Sequence, residues 1–200
     1  LLPNASHLEL VNPVVSGAAK ALQQEGESGV TDALGLLIHG DAGFAGEGVV
    51  AETLNLAKLS GYSTGGSLHV ILNNQIAFTT DPKDTFGTCY TTDLARGFDI
   101  PVIHVNADDL KSCLSVARFA FAYRQRFHKD IVVDLVGYRR YGHNEGDEPS
   151  FTQPSMYTLI ADHLTLATQW GQHLSDAGQI NPEDIDGMVK DVANNLEEAK

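Results

Sequence analysis

Four short apolar runs, separated by stretches with helical patterns, decide which fold classes are open to this chain. The runs predict strands at Leu34–His39, Leu68–Leu72, Val102–Val105 and Ile131–Val136. Helices are expected between them, at Gly48–Leu59, Thr91–Gly97 and Leu110–Phe127. Near-continuous apolar strands that alternate with helices are typical of a parallel sheet covered on both faces. We therefore expect an α/β fold, a parallel sheet with helices on both faces.

The pattern divides the 200 residues into a long segment and a short one. We expect an α/β domain over residues 1–160 and a C-terminal helical extension of the same domain over residues 161–200. Between Tyr138 and Gln153 the chain is charged and glycine-rich without apolar periodicity, which is typical of a functional loop. Two helices are expected after it, the last opening at Asn181-Pro182-Glu183-Asp184 with a capping residue, a proline and early acids. The start, Leu1-Leu2-Pro3-Asn4, resembles neither a signal nor a transit peptide, so we expect a chain cut from something larger.

Composition excludes several classes of partner. Lys and Arg number 13 against 26 Asp and Glu, and the formal charge of −13 argues against nucleic acid and anionic membrane as partners. The two cysteines, Cys89 and Cys113, form no Cys-x-x-Cys pair, so neither a zinc site nor a disulfide framework is implied. A reducing compartment is the simplest interpretation, and we expect the cytoplasm of a bacterium rather than a mitochondrial matrix. No apolar stretch is long enough to span a bilayer.

Asp41 and Asn74 each lie just past the end of a predicted strand. Ligands of open parallel sheets bind beyond the carboxyl ends of the strands. The loop from Gly40 to Gly48 holds four glycines and leads into a helix, a pattern typical of an anion cradle. Asp41 and Glu47 would repel a bare phosphate, but Mg²⁺ between carboxylate and phosphate removes that conflict. The loop therefore predicts a cation site for a phosphate ligand.

Other glycine-rich structures remain open at this point. The same residues are also typical of an ordinary glycine-rich turn with a helix-capping aspartate. The Gly-x-Gly-x-x-Gly fingerprint of dinucleotide-binding folds is absent, and no Gly-Lys-Ser/Thr follows as in a P-loop. A nucleotide-binding α/β domain is therefore disfavoured.

The spacing of Gly40-Asp41-Ala42 and Asn73-Asn74 resembles the diphosphate-binding motif of thiamine-diphosphate enzymes. That motif is Gly-Asp-Gly, a spacer of a few dozen residues, then Asn-Asn. Ala42 departs from the general pattern and is similar to the variant in the first, thiamine-dependent decarboxylating component of 2-oxoglutarate dehydrogenases. The resemblance extends over nearly the whole chain, through the runs Ser6–Glu9, Ile38–Ala42, Val50–Leu56, Asn73–Ile76, Tyr123–Asp130 and Tyr141–Ser150.

The resemblance implies roles for individual residues. Mg²⁺ would take Asp41, the side-chain oxygen of Asn74 and the backbone carbonyl of Ile76, while Ala42 and Gly43 would let backbone N–H groups approach the diphosphate. Ser6 and Leu8 would lie in the cofactor pocket. The resemblance also implies that His143 lies beside the diphosphate, as the catalytic candidate. Independently of the resemblance, Arg139 and Arg140 are expected to form ion pairs with Glu145, Asp147 or Glu148. From spacing alone, Ser6–Glu9 predicts a capping box.

The function implied is oxidative decarboxylation of 2-oxoglutarate with thiamine diphosphate and Mg²⁺. The succinyl group would pass to a lipoyl-bearing acyltransferase of a multienzyme complex, and a homodimer is expected. Alternatives are 2-oxoadipate or another 2-oxo acid as substrate, and a non-catalytic module that kept the cofactor fold. No segment of this chain matches the glutamate that activates the aminopyrimidine in the wider family, so we expect half of a site.

Overall fold

The computed structural model describes residues 1–4 and 6–199. Ala5 of the predicted α/β domain and Lys200 of the predicted C-terminal extension lie outside the described residues. The chain folds as two compact units, Leu1–Ile160 and Ala161–Lys200. The first unit contains the sheet. That the second is an extension of the same domain stays a prediction.

A four-stranded sheet organises the first unit. Its strands are β1 Leu36–Gly40, β2 Leu68–Asn73, β3 Val102–Asn106 and β4 Ile131–Val136. The strand order is β1-β2-β4-β3, and every neighbouring pair is parallel. All four carboxyl ends therefore lie at one edge of the sheet. The sequence predicted all four strands, and β4 with the observed bounds.

Helices flank the sheet. In the first unit they are α1 Val11–Glu25, α2 Asp41–Gly46, α3 Gly48–Leu56, α4 Pro82–Thr85, α5 Asp93–Arg96, α6 Leu110–Phe127 and α7 Pro154–Asp162. The second unit contains α8 Leu166–Asp176 and α9 Pro182–Glu198. The connections β1 to β2 and β2 to β3 advance in one direction across the sheet, whereas β3 to β4 returns. Because parallel crossovers are right-handed, α6 on the return connection lies on the opposite face from α3. The predicted α/β class, a parallel sheet flanked by helices, is confirmed.

The main core lies on the face covered by α2, α3 and α5. Its buried side chains are Phe44, Val50, Leu54, Ile71, Ala95, Ile100 and Val132. A second cluster joins Ile76, just past β2, to Tyr157 and Ile160 of α7. The first cluster fixes α2, which follows β1, through Phe44. The second cluster fixes the segment that follows β2 through Ile76.

Arg124 of α6 holds the amino-terminal edge of the sheet. Its side chain is fully buried and donates hydrogen bonds to three backbone carbonyls, those of Ala33, Thr64 and Gly66, at 3.0 to 3.1 Å. Burial lowers the pKa of this guanidinium, although the charge of Asp130 opposes the shift. The amino edge is thus held together by a buried side chain that bonds three segments of backbone.

Two local expectations are wrong. The glycine loop after β1 begins with a short helix, α2, because Asp41 and Phe44 lie one helical turn apart and both point inward. The capping box at Ser6 is absent: α1 begins at Val11, after Leu10, without a side-chain cap.

The C-terminal helices differ in number from the expectation. Three helices follow the charged loop instead of two. The predicted opening of α9 is confirmed, since Asn181 and Asp184 form a reciprocal capping box with Pro182 at the first helical position. Among residues 1–4 and 6–199, no helix combines the length and apolarity that a membrane span requires.

Candidate functional site

Asp41 lies at the carboxyl edge of the sheet, just past the outer strand β1. It opens α2 directly after β1 and is only 2% exposed. Its Oδ2 atom has no hydrogen-bond partner among the described residues. Burial raises the pKa of Asp41, whereas the backbone N–H groups of Asp41, Ala42 and Gln75 and the charge of Arg139 partly offset the increase.

A buried carboxylate oxygen without a partner needs an explanation, because native proteins satisfy nearly all such atoms. Transferring a charged carboxylate out of water is unfavourable unless it is paired or bound to a metal. A divalent cation at Oδ2 would satisfy the oxygen and compensate its charge. The donor set at Asp41 therefore fits Mg²⁺, which prefers oxygen ligands.

The segment after β2 lies beside Asp41. Gly40 pairs with Leu72 in the sheet, so the ends of β1 and β2 are neighbours. Asn74 is half-buried, and its Oδ1 accepts the N–H of Ile76 at 3.1 Å. A carboxamide oxygen has a second lone pair, so Oδ1 can still bind a cation. The side chain of Ile76 is 3% exposed in the second core cluster, which anchors its backbone at this edge.

Arg139, three residues past β4, brings positive charge to the same edge. Its charge acts on both Asp41 and Tyr157, lowering the pKa of each against the larger effect of burial. The side chain of Arg139 forms no ion pair within residues 1–4 and 6–199, so its expected pairing with loop acids is wrong. Arg140 instead donates to the carbonyl of Ile160 and the hydroxyl of Tyr138. A guanidinium beside a candidate cation site suits a phosphate ligand.

Ala42 and Gly43 lie in the first turn of α2. A Cβ on Gly43 would lie 2.9 Å from Oε1 of Glu9. The missing side chain thus makes room for Glu9, which is a different neighbour from the diphosphate that the sequence suggested. The proposed contact between this backbone and a diphosphate stays a prediction.

Glu9 is part of a buried polar network that sequence reasoning did not identify. Its Oε2 lies 2.6 Å from Nδ1 of His39, and Nε2 of His39 lies 3.0 Å from Nδ1 of His69. Asn12 donates to the same Glu9 oxygen at 2.8 Å. Burial lowers the pKa of His39, whereas the hydrogen bond and charge of Glu9 partly offset the shift. Glu9, His39 and His69 are each separated by 30 positions along the chain, so no local sequence pattern predicts their contacts.

The network also holds the turn that carries Ser6 and Leu8. Glu9 has a left-handed backbone, with φ of 67°, and is itself buried. Ser6 and Leu8 are exposed in the turn that precedes it. Glu9 thus connects this turn to β1 by its bond to His39, and it also lies close to Gly43 of α2. His39 and Gly43 lie two residues before and two residues after Asp41.

His143 lies in the exposed loop after β4. Its backbone N–H donates to Oδ2 of Asp147 at 2.8 Å. The loop closes tightly, because a Cβ on Gly142 would lie 2.2 Å from the carbonyl oxygen of Asp147. The imidazole is exposed, and its proposed contact with a diphosphate stays a prediction.

The structure thus brings Asp41, the Asn74–Ile76 segment and Arg139 to one edge. No cluster of three or more His, Cys, Asp or Glu side chains suited to a metal occurs in the described part of the chain. A cation at Asp41 would therefore depend on amide, carbonyl, ligand and water oxygens. The sequence analysis did not predict Arg139 as a site residue. Its position three residues past the end of β4 is the feature that could have indicated it. Two cavities, of about 300 and 440 Å³, lie elsewhere and are not lined by any of these residues.

Comparison with known proteins identifies the family. The family model described as "Dehydrogenase E1 component" matches residues 1–200. Proteins named 2-oxoglutarate dehydrogenase E1 component from Geobacillus sp. (strain WCH70) and Bacillus subtilis are 52% and 48% identical over 98% and 100% of this chain. The relative of that name from Oceanobacillus iheyensis is 57% identical over 89% of the chain. These alignments cover 21%, 22% and 19% of the relatives, so the chain spans about a fifth of their length. The chain belongs to the dehydrogenase E1 component family.

Proposed function

We propose that this chain is the diphosphate- and Mg²⁺-binding part of a thiamine-diphosphate-dependent 2-oxoglutarate dehydrogenase component. The observation that carries the proposal is the unpartnered, buried Oδ2 of Asp41 at the carboxyl edge of a parallel sheet. The family and the names of its relatives support the choice of cofactor and substrate.

In this proposal, Asp41, the Oδ1 of Asn74 and the carbonyl of Ile76 bind Mg²⁺. The backbone at Ala42 and Gly43 approaches the diphosphate. Arg139 adds a cation beside Asp41, which matters because the chain as a whole carries a formal charge of −13. The set suits Mg²⁺ because this ion is usually held by one or two carboxylates together with phosphate oxygens and waters.

The remaining site residues serve the rest of the cofactor and the substrate. Ser6 and Leu8 contact the aminopyrimidine side, and their turn is held by the buried Glu9. His143 donates a hydrogen bond beside the diphosphate, as an exposed histidine is able to do near neutral pH. Bound thiamine diphosphate supplies the electron sink for decarboxylation, while the protein supplies binding and orientation.

The whole protein would release carbon dioxide from 2-oxoglutarate and pass the succinyl group to a lipoyl-bearing acyltransferase of a multienzyme complex. We further propose a homodimer in the bacterial cytoplasm, a location that suits two unpaired cysteines. The activating glutamate is proposed to come from outside this chain. In this proposal, the residues of this chain form the cofactor-binding half of the active site.

Steady-state assays of the full-length protein test the proposal. We expect carbon dioxide release from 2-oxoglutarate that depends on both Mg²⁺ and thiamine diphosphate. A higher kcat/KM for 2-oxoadipate would reassign the substrate within the same chemistry. Absence of turnover with every 2-oxo acid, together with absence of cofactor binding, would instead favour a non-catalytic module.

A further inference from the structure

A chain of side chains connects β3 to the segment that carries Asn74. Nδ1 of His104 lies 2.7 Å from Oδ2 of Asp134, its partner in the register of β3 and β4. The other oxygen of Asp134 accepts a hydrogen bond of 3.1 Å from Nδ2 of Asn73. Asp134 is fully buried. Both of its oxygens are therefore committed, one to each neighbouring strand.

Asn73 extends this chain into the backbone past β2. Its Oδ1 accepts the N–H of Gln75 at 3.2 Å, and the side chain of Gln75 donates to the carbonyl of Gly137 at 2.9 Å. Gln75 has a left-handed backbone, with φ of 61°, which is uncommon for a residue other than glycine. Strained backbone persists where surrounding contacts hold it. Asn73 and Gly137 are two of the contacts that hold it here, and Asp41 is a further partner of its N–H.

Gln75 separates two of the three groups proposed to bind Mg²⁺. Its backbone conformation sets the direction of the chain between the side chain of Asn74 and the carbonyl of Ile76. The N–H of Gln75 is also one of the groups that favour the charged form of Asp41. The conformation of this one residue therefore bears on all three proposed ligands.

We propose that Asn73 and Asp134 are positioning residues for the Mg²⁺–diphosphate site, with His104 as the hydrogen-bonding support of Asp134. The inference rests on the function proposed above. Neither residue contacts the metal in this account. Asp134 orients the carboxamide of Asn73, and Asn73 holds Gln75 in the left-handed conformation that presents Asn74 and Ile76 together.

The chain contains a matched control for this role. Asn106 ends β3 as Asn73 ends β2, and its Oδ1 accepts the N–H of the residue two positions later, Asp108, at 3.0 Å. Both asparagines thus make the same local turn at the same edge of the sheet. Only Asn73 leads to the proposed ligands, so a general effect on turn stability appears in both variants and a positioning effect in one.

The test is calorimetric titration of the full-length protein with thiamine diphosphate at several Mg²⁺ concentrations, alongside thermal unfolding without either. We expect Asn73→Ala to weaken Mg²⁺-dependent binding about 10- to 100-fold, the range typical when the support of a metal ligand is removed. Asn106→Ala, which removes the same turn hydrogen bond but no bond to a buried acid, should lower Tm by less and leave binding within twofold. Asp134→Val should match Asn73→Ala in binding, and where it fails to fold, Asn73→Ala alone decides.

A pair exchange adds a rescue. Asn73→Asp sets two carboxylates against each other and should weaken binding, whereas adding Asp134→Asn restores a donor and an acceptor in reversed order and should recover most of the loss. Wild-type protein that binds no cofactor would overturn the proposed function itself. Wild-type binding with unchanged affinity in Asn73→Ala, or an equal loss in Asn106→Ala, would overturn the positioning role alone.

Discussion

At the scale of single residues, the carboxyl edge contains two kinds of buried acid. Asp41 has an oxygen without a partner among the described residues, whereas Oε2 of Glu9 is hydrogen-bonded to both Asn12 and His39. Burial raises the pKa of Glu9, but the hydrogen bonds from His39 and Asn12 contribute to a larger opposite effect, so the net shift is downward. Glu9 therefore has a structural role in the buried network, whereas Oδ2 of Asp41 is available for a ligand.

The buried His39 predicts a pH dependence of stability. Its pKa in the folded protein is below the ordinary 6.5, so the unfolded chain binds more protons as pH falls through that value. Stability is thus present above about pH 6.5 and is lost progressively below it. The slope of unfolding free energy against pH is proportional to the number of protons taken up on unfolding. His39→Gln should lower this number by up to about one below about pH 6.5. Urea unfolding from pH 7.5 to 5 measures it.

His143→Gln is the control for that measurement, because His143 is exposed in the loop after β4. It should keep the wild-type slope. An unchanged slope in His39→Gln would mean that His39 is not buried in its neutral form.

Because Gly43 contacts Glu9, we expect alanine substitutions at the two glycines of α2 to differ in their effect on stability. Gly43→Ala should destabilise the fold by about 1–2 kcal/mol, because the new Cβ meets a carboxylate that His39 and Asn12 hold in place. Gly46→Ala, in the same helix with nothing near its Cβ, should be neutral or stabilising. Urea unfolding of both variants decides it, and equal effects would contradict the assigned contact.

At the scale of helices and strands, patterns with a clear period were predictable and short elements set by distant contacts were not. The bounds of β4 and α6 were predicted as observed, because a continuous apolar run and a long amphipathic stretch carry their own signal. The helix α2 was missed, since it forms to bury Phe44 in a core built from later residues. The capping box at Ser6 failed because Glu9 bonds to His39, 30 residues away.

The candidate site divides in the same way. Asp41 and Asn74 could be recognised because each directly follows a strand. Glu9, His39 and His69 could not be recognised as one network, since their contacts depend on how α1 meets β1 and β2.

The start of β2 depends on one glycine. Gly66 has φ of 89°, and a Cβ there would lie 2.3 Å from the backbone of Lys129, just before β4. Gly66→Ala should therefore cost about 3 kcal/mol or more of unfolding free energy, since neither the conformation nor the space is available. Gly61→Ala, with open space at its Cβ, should stay within about 0.5 kcal/mol. A small effect at Gly66 would contradict the observed packing of β2 against β4.

At the scale of the whole molecule, the residues proposed as ligands would bind the metal and the diphosphate, and we expect the acid that acts on the far ring of the cofactor to come from outside this chain. Residues 1–200 alone, saturated with Mg²⁺ and thiamine diphosphate, should release carbon dioxide from 2-oxoglutarate at least about 100-fold more slowly than the full-length protein, because general acid–base catalysis is missing. Binding that is equal in the ground and transition states does not accelerate the chemical step. Comparable turnover would place the activating acid within this chain.

The central claim is that Asp41 and Asn74 bind the Mg²⁺ that holds the diphosphate. Calorimetry of thiamine diphosphate binding to the full-length protein, with and without Mg²⁺, tests it most directly. Asp41→Ala and Asn74→Ala should weaken Mg²⁺-dependent binding at least about 100-fold while the proteins remain folded. Asp99→Ala, which removes an exposed acid paired with Lys58, should bind as wild type does. Cofactor affinity that is unchanged in Asp41→Ala and Asn74→Ala would contradict the assignment of the site.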